Sequence, residues 1–321
     1  MSTISRPGRA VNGKRRGDMM ASQNFRDYLM PDDAPRIAAA RGVDLQTYGE
    51  RMLSTEKARD LRAHWQTLLN EAFRGITVDG RVRQGLFELR DEGFEADGAV
   101  NAAEALMATL SDSQRARVLH AVDAREWRAW YNPEIPFNDY GVRLEFTSPQ
   151  TQEAFLDLLQ SCTSPKGYEK VRRLMDANHF LGELYGLNNI MNRWSFHFMI
   201  FGEPSAARPW GWSIYGHHVA FCCFILGRQL VIAPTFMGVE PNVIDRGDSG
   251  DCVLFTEEER LGLALMQSLS RDQQRRSTVY RLMEDPAMPP GRFNFADQRH
   301  LGGAPFRITV SFPWKGSAPR S

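Results

Sequence analysis

Three of the chain's seven histidines, His197, His217 and His218, fall between Trp194 and Asn242, among apolar, β-favouring segments separated by turn residues. Imidazole titrates near neutrality, and its neutral form ligates metals. Histidines on apolar strands therefore offer either proton transfer or metal binding. With Gly211 to Ile225 read as one strand, His217 shares a face with Tyr215, Val219 and Phe221, and His218 shares the other with Ile214, Gly216, Ala220 and Cys222. Gly216 leaves room for a ligand beside His218, which favours His218 as the cavity residue. His197, on a neighbouring strand with Ser195 and Met199, brings a second imidazole to the same inward face if the two strands pair.

Two chemistries fit these residues. In the first, His218, with His217 and His197 as further candidates, is an acid/base group oriented by Glu240. Arg193 or Arg208 binds an anionic group of the substrate, because guanidinium matches carboxylate geometry. Trp210, Trp212, Tyr215 and Phe236 wall a pocket for a small organic acid or aromatic metabolite, between the 194–233 sheet and the 236–251 loop. Such an enzyme is lyase- or isomerase-like, biosynthetic in role, and needs no cofactor. In the second, His197 and His218 join a carboxylate from Glu240, Asp245, Asp248 or Asp251 around one divalent transition metal. A third reading makes the histidines structural and the protein a non-catalytic binding or scaffold module.

Nucleophilic catalysis fits less well. Cys222 and Cys223 stand mid-strand between Phe221 and Phe224, where buried thiols are inert. Ser249 in Gly247-Asp-Ser-Gly250 lacks the rest of a protease pattern. There is no GxSxG, Walker loop or GxGxxG after a strand, so neither ATP nor a Rossmann-bound nucleotide is expected.

The elements that must hold these residues follow from periodicity and punctuation. Strands are expected at Trp194–Phe201, Gly211–Ile225 and Gln229–Ala233, with an irregular loop over 236–251. Upstream, Pro31 and Pro35 break a short helix or arm over 25–41. A 3.6-residue apolar period runs through Asp44–Phe73, and further helices fall at 101–108 and 112–122. Ser148-Pro149 and Ser164-Pro165 each place a cap before a proline at the first helical position, opening helices to about Cys162 and Leu187. Thr256 and Glu259 form a capping-box pair. Leu110-Ser-x-x-Gln and Leu269-Ser-x-x-Gln echo one another as capped helix starts. Gly75–Gly80, Leu86–Leu89, Gly141–Phe146 and Phe306–Phe312 read as shorter strands.

Composition bounds the class. Of 321 residues, 42% are hydrophobic, enough for a sizeable core. Lys+Arg and Asp+Glu are both 39, which argues against a general nucleic-acid binder. No apolar run reaches membrane-spanning length, and no apolar h-region follows the basic N-terminus. The four cysteines form no CxxC pair, so they read as reduced and the protein as cytoplasmic. Residues 1–22 are expected to be a disordered basic tail and 23–321 one domain, helical to about 190 and sheet-rich beyond.

Phe201-Gly-Glu-Pro-Ser205, Trp210-Gly-Trp-Ser-Ile-Tyr-Gly-His-His218 and Pro234-Thr-Phe-Met-Gly-Val-Glu-Pro-Asn242 together resemble the family catalogued as domain of unknown function 3500. The flanks Leu110-Ser-x-x-Gln-Arg115, Pro165-Lys-Gly-Tyr168 and Leu269-Ser-x-x-Gln273 also fit, so the resemblance covers roughly 102–274. It implies that the histidine pair, the Phe-Gly-Glu-Pro-Ser turn and the Gly-Val-Glu-Pro-Asn loop form one unit. It brings no established catalytic residue. The reading is an α+β protein with a central, mostly antiparallel sheet and helices packed on it. It acts on a small-molecule substrate, with no nucleic-acid or membrane partner, and an oligomer is open.

Overall fold

A computed structural model of the chain describes residues 25–71, 85, 88–246 and 252–278. Six strands make one sheet: β1 Leu119–His120, β2 Val142–Arg143, β3 Phe196–Phe201, β4 Trp210–Gly216, β5 Val219–Leu226 and β6 Gln229–Met237. β3 to β6 form an antiparallel meander, while β1 (parallel) and β2 (antiparallel) both pair with β3. A separate short pair joins β7 Val243–Ile244 to β8 Cys252–Val253. The helices among the described residues are α1 Pro35–Ala40, α2 Leu45–Leu53, α3 Glu56–Asn70, α4 Ala96–Ala108, α5 Asp112–Val118, α6 Pro149–Cys162, α7 Pro165–Tyr185, α8 Thr256–Ser268 and α9 Arg271–Ser277. The architecture is the expected α+β.

Strand alternation sorts the sheet into two buried faces. Phe196, Phe198, Ile200, Trp212, Ile214 and Phe221 share one core with the apolar sides of α4, α6 and α7. Met199, Phe201, Tyr215 and Ala220 share the other with Tyr131, Phe137, Leu181, Ile37 and Tyr48. Each large side chain so buried stabilises the fold by about 1.5–3 kcal/mol. Because both faces are covered, these strands read as unbroken apolar runs.

That double burial hides the main departure from the sequence reading. Gly211–Ile225 is not one strand. The register Gly216↔Val219 closes β4 onto β5 through a two-residue turn, His217-His218. His218 takes a left-handed φ of 61°. For a residue with a Cβ that conformation costs about 1–2 kcal/mol. Two backbone bonds hold it there: His218 N–H donates to the Asn132 carbonyl at 2.9 Å, and Gly238 N–H donates to the His218 carbonyl at 2.7 Å. The turn lacks the Asn-Gly or Asp-Gly signal that would announce a hairpin.

Helix punctuation is closer to expectation. Ser148 and Ser164 cap α6 and α7 ahead of proline, and Gly186, with a φ of 67°, ends α7. Ser111 with Gln114 and Ser270 with Gln273 are complete capping boxes. The 44–73 segment is two helices, because the Thr55 side chain accepts from Ala58 N–H and starts α3 afresh. At α8 the cap position is Phe255 in a left-handed conformation, and Thr256 is already helical. Gly141–Phe146 keeps only β2 as strand before a 3₁₀ turn at Leu144–Phe146. The 236–251 loop starts as the end of β6 and contains β7. Glu88 and Leu89 are not strand. Gly75–Gly80, Phe306–Phe312 and the 1–22 tail lie outside the described residues.

Gly182 and Gly262 test this packing. A Cβ at Gly182 on α7 would run into the Met191 backbone carbonyl, whereas one at Gly262 on α8 meets nothing within 4 Å. Gly262→Ala is expected to gain about 0.5–1 kcal/mol from helix propensity. Gly182→Ala is expected to lose about 1–3 kcal/mol through the forced backbone shift. Thermal denaturation of both variants reads the opposite signs.

Candidate metal centre

The tight turn puts two adjacent imidazoles on the same side of the β4–β5 end. Their rings stack at 3.9 Å between centroids. His217 Nδ1 lies 3.0 Å from Asn178 Oδ1, and His218 Nδ1 lies 3.0 Å from Asn132 Oδ1. The Asn178 amide has its orientation fixed, since its Nδ2 donates to the Asn192 carbonyl at 2.7 Å. An amide oxygen can only accept, so each Nδ1 carries the proton. The Nε2 of His217 is left as a lone-pair donor, whereas that of His218 faces the acceptor-only Glu240 carboxylate and donates a proton to it, a proton that a metal at this point would displace. Glu240, on the loop after β6, brings a carboxylate oxygen 3.5 Å from His218 Nε2. One ligand atom from each of His217, His218 and Glu240 lies within 4.8 Å of the others.

The charge environment reinforces this arrangement. Burial first, and then the neighbouring His218, hold the His217 pKa down to about 3, so it is a neutral ligand at pH 7. Glu134 and Glu240 oppose that shift, so both place negative potential at the ring. Burial raises the Glu134 carboxyl, but Arg36 and then His217 outweigh it, aided by the Tyr48 hydroxyl. The net value is about 2. Arg36 pairs with Glu134, and Tyr48 O–H donates to it at 2.7 Å. Glu240 is lowered by its bond to His218. The His218 and Glu240 side chains keep 24% and 63% exposure, so the cluster opens to solvent.

The remaining candidates separate from this cluster. His197 is buried on β3, 3.5 Å from the Tyr131 hydroxyl and stacked on Tyr215 at 4.9 Å. It is not a member of the three-residue group, so the pairing of His197 with His218 around one metal is replaced by His217 with His218. The physical reason is the turn: it ends β4 before the histidines, so strand alternation does not apply to them. Tyr215 is buried with Ala220, and its hydroxyl donates to Asn138 Oδ1 and the Tyr140 carbonyl. Trp210 and Trp212 are fully buried. Both are core on the opposite face, and Trp212 Nε1 donates to Cys162 Sγ at 3.3 Å. Phe236 stacks beside Trp130 at 6.5 Å. Arg193 pairs with Asp176 at 2.6 Å. Arg208 pairs with Glu203 in the β3–β4 loop, at the far end of β4 and roughly 20 Å of strand from the histidines. Of the other carboxylates, Asp245 pairs with Arg26, while Asp248 and Asp251 lie outside the described residues, as does Ser249. Burial pushes the Cys222 thiol up to about 12, which removes it as a nucleophile.

Asn132, Glu134 and Asn178 were missed from sequence. Asn178 carried a usable signal: a polar residue on the apolar stripe of α7 with Met175 and Leu181, where a buried amide must find partners.

This is an α+β protein whose central hairpin ends in a histidine turn backed by two asparagines. The chain belongs to the family described as protein of unknown function (DUF3500), whose model matches residues 92–313. No curated protein and no solved structure matches it. All three cluster residues and both asparagines lie in the matched region, whereas Arg36 and Tyr48 precede it. No described helix is long and apolar enough to cross a membrane.

A pH series tests the burial of the histidine. A group whose folded pKa is depressed binds fewer protons when folded than when unfolded. Stability is therefore full above the unfolded value near 6.5 and falls as pH drops toward 3. Each such histidine contributes at most about 1.4 kcal/mol per pH unit. His120 and His197 shift the same way. His217→Gln is expected to flatten the denaturant-derived slope between about pH 6 and 5 by one histidine's share. An unchanged slope would place His217 in water.

Proposed function

We propose that the protein is a divalent-metal-dependent enzyme acting on a small molecule, with His217, His218 and Glu240 as the protein ligands. One observation carries the reading. Both Nδ1 atoms face asparagine oxygens, which turns the two Nε2 atoms toward the Glu240 carboxylate, with one ligand atom from each residue within 4.8 Å of the others. Metal-bound histidines characteristically donate their second nitrogen to such an acceptor, which fixes tautomer and ring orientation. Two imidazoles and a carboxylate suit zinc, iron, manganese or cobalt, and three protein ligands leave positions for water and substrate. Such a metal would supply an activated water or polarise a substrate oxygen. Glu134, largely buried and ionised beside His217, favours a cation at that ring as it would favour a proton. Glu240, being exposed, can adjust to the ligand geometry.

The acid/base reading without metal narrows to one pair. His217 and His197 are both held neutral by burial and are poor proton donors near neutrality. His218 with Glu240 at 3.5 Å, both partly exposed, remains the pair that could move a proton on a small organic acid or aromatic metabolite.

Elemental analysis and equilibrium dialysis of the purified, untagged chain decide between them. The metal reading expects about one zinc, iron, manganese or cobalt per chain, lost in His217→Ala and His218→Ala that remain folded by circular dichroism. Asn178→Ala is expected to weaken metal binding by about 10–100-fold. A folded wild type that carries no metal and takes none up contradicts the proposal.

A further inference from the structure

The segment that carries Asn132 and Glu134 continues into Pro136–Asp139, which border a cavity of about 690 Å³ that none of the three cluster residues lines. That volume is in the range of small-molecule sites. Part of its wall is apolar: Leu45 and Leu53 from α2, with Pro136, Phe137, Val142 and Phe146. Phe146 keeps 66% exposure, so a large ring stands at the mouth without cover among the described residues. The floor is polar and deep. His197 and Arg143 both line it and each is only 5% exposed. Arg62 from α3 and Arg117 from α5 also line it, beside the polar Gln46, Ser113, Gln114 and Asn138.

Three lining arginines, Arg62, Arg117 and Arg143, outnumber two lining acids, and Arg117 pairs with one of these, Asp139, at 3.7 Å. The lining acids are Glu50, which takes Gln46 Nε2, and Asp139, whose side chain is 95% exposed. Arg143 is held by Glu145 and by the Ile190 carbonyl, and Arg117 donates to the Asp139 carbonyl. Both guanidiniums are thus fixed by local bonds, and both act on the buried His197 as positive charge, after burial itself. A neutral imidazole in a partly apolar cavity whose lining carries one excess positive charge matches a ligand with one anionic end and an apolar body. Guanidinium groups fit a carboxylate in particular.

We infer that this cavity is a binding site for a small organic carboxylate with an apolar or aromatic body. The carboxylate lies toward Arg62, Arg117, Arg143 and His197, and the body lies toward Leu45, Leu53, Phe137 and Phe146. The site is separate from the metal cluster and stands whether or not a metal binds there.

Calorimetric titration in the presence of a chelator, with 3-phenylpropionate against its neutral amide, tests the assignment. Chelation removes metal ligation as a source of carboxylate binding. The carboxylate is expected to bind about tenfold or more tightly than the amide. Arg117→Gln and Arg62→Gln are each expected to weaken the carboxylate several-fold with little change for the amide. The His197 imidazole resonances are expected to shift on titration. Equal binding of acid and amide overturns the inference. So does the absence of binding by either at millimolar concentration, or carboxylate affinity that ignores both arginine substitutions in folded protein.

Discussion

The whole candidate site depends on a two-residue turn that holds its rings by their inner nitrogens. A hairpin that closes Gly216 onto Val219 gives its two central residues no strand partners of their own. Their side chains are therefore free of alternation and can lie together, as the 3.9 Å stack shows. Freedom alone would leave two mobile imidazoles. Asn132 fixes the turn twice, through its carbonyl to His218 N–H and through its side chain to His218 Nδ1. Asn178 does the same for the His217 ring from α7. The outward-facing nitrogens are aimed by what is bonded behind them.

Charge is then arranged in layers around this core of bonds. His217 is buried and neutral. Behind it Glu134 is largely buried and ionised, and that ionisation relies on Arg36 and Tyr48 from α1 and α2. A buried carboxylate deprived of these partners would be uncompensated and costly. The first helices of the described chain thus share in the electrostatics of a site built inside the family-matched region. In front, the more exposed Glu240 completes the donor set.

The sequence was most legible where local rules act alone. Ser-Pro helix starts and the two Leu-Ser-x-x-Gln boxes depend on neighbouring residues, and all formed. The α+β class and the mostly antiparallel sheet came from β-favouring apolar segments between turn residues. What failed was parity. Burial on both faces erases the alternating pattern, so the hairpin inside Gly211–Ile225 left no mark and each histidine was assigned to the wrong neighbours. Trp210 and Trp212 looked like pocket walls because aromatic content does not say which face of a sheet the helices cover. Glu240 was found because it lay near the histidines in a loop. Asn132, 86 residues from His218, could be placed only by the fold.

Anomalous diffraction from crystals grown with cobalt tests the central claim most directly. The account predicts one strong peak about 2.0–2.2 Å from Nε2 of both His217 and His218 and from a Glu240 oxygen, with Nδ1 of each ring still on its asparagine. A structure in which the two rings point apart, or in which cobalt binds elsewhere and leaves this cluster empty, would contradict it.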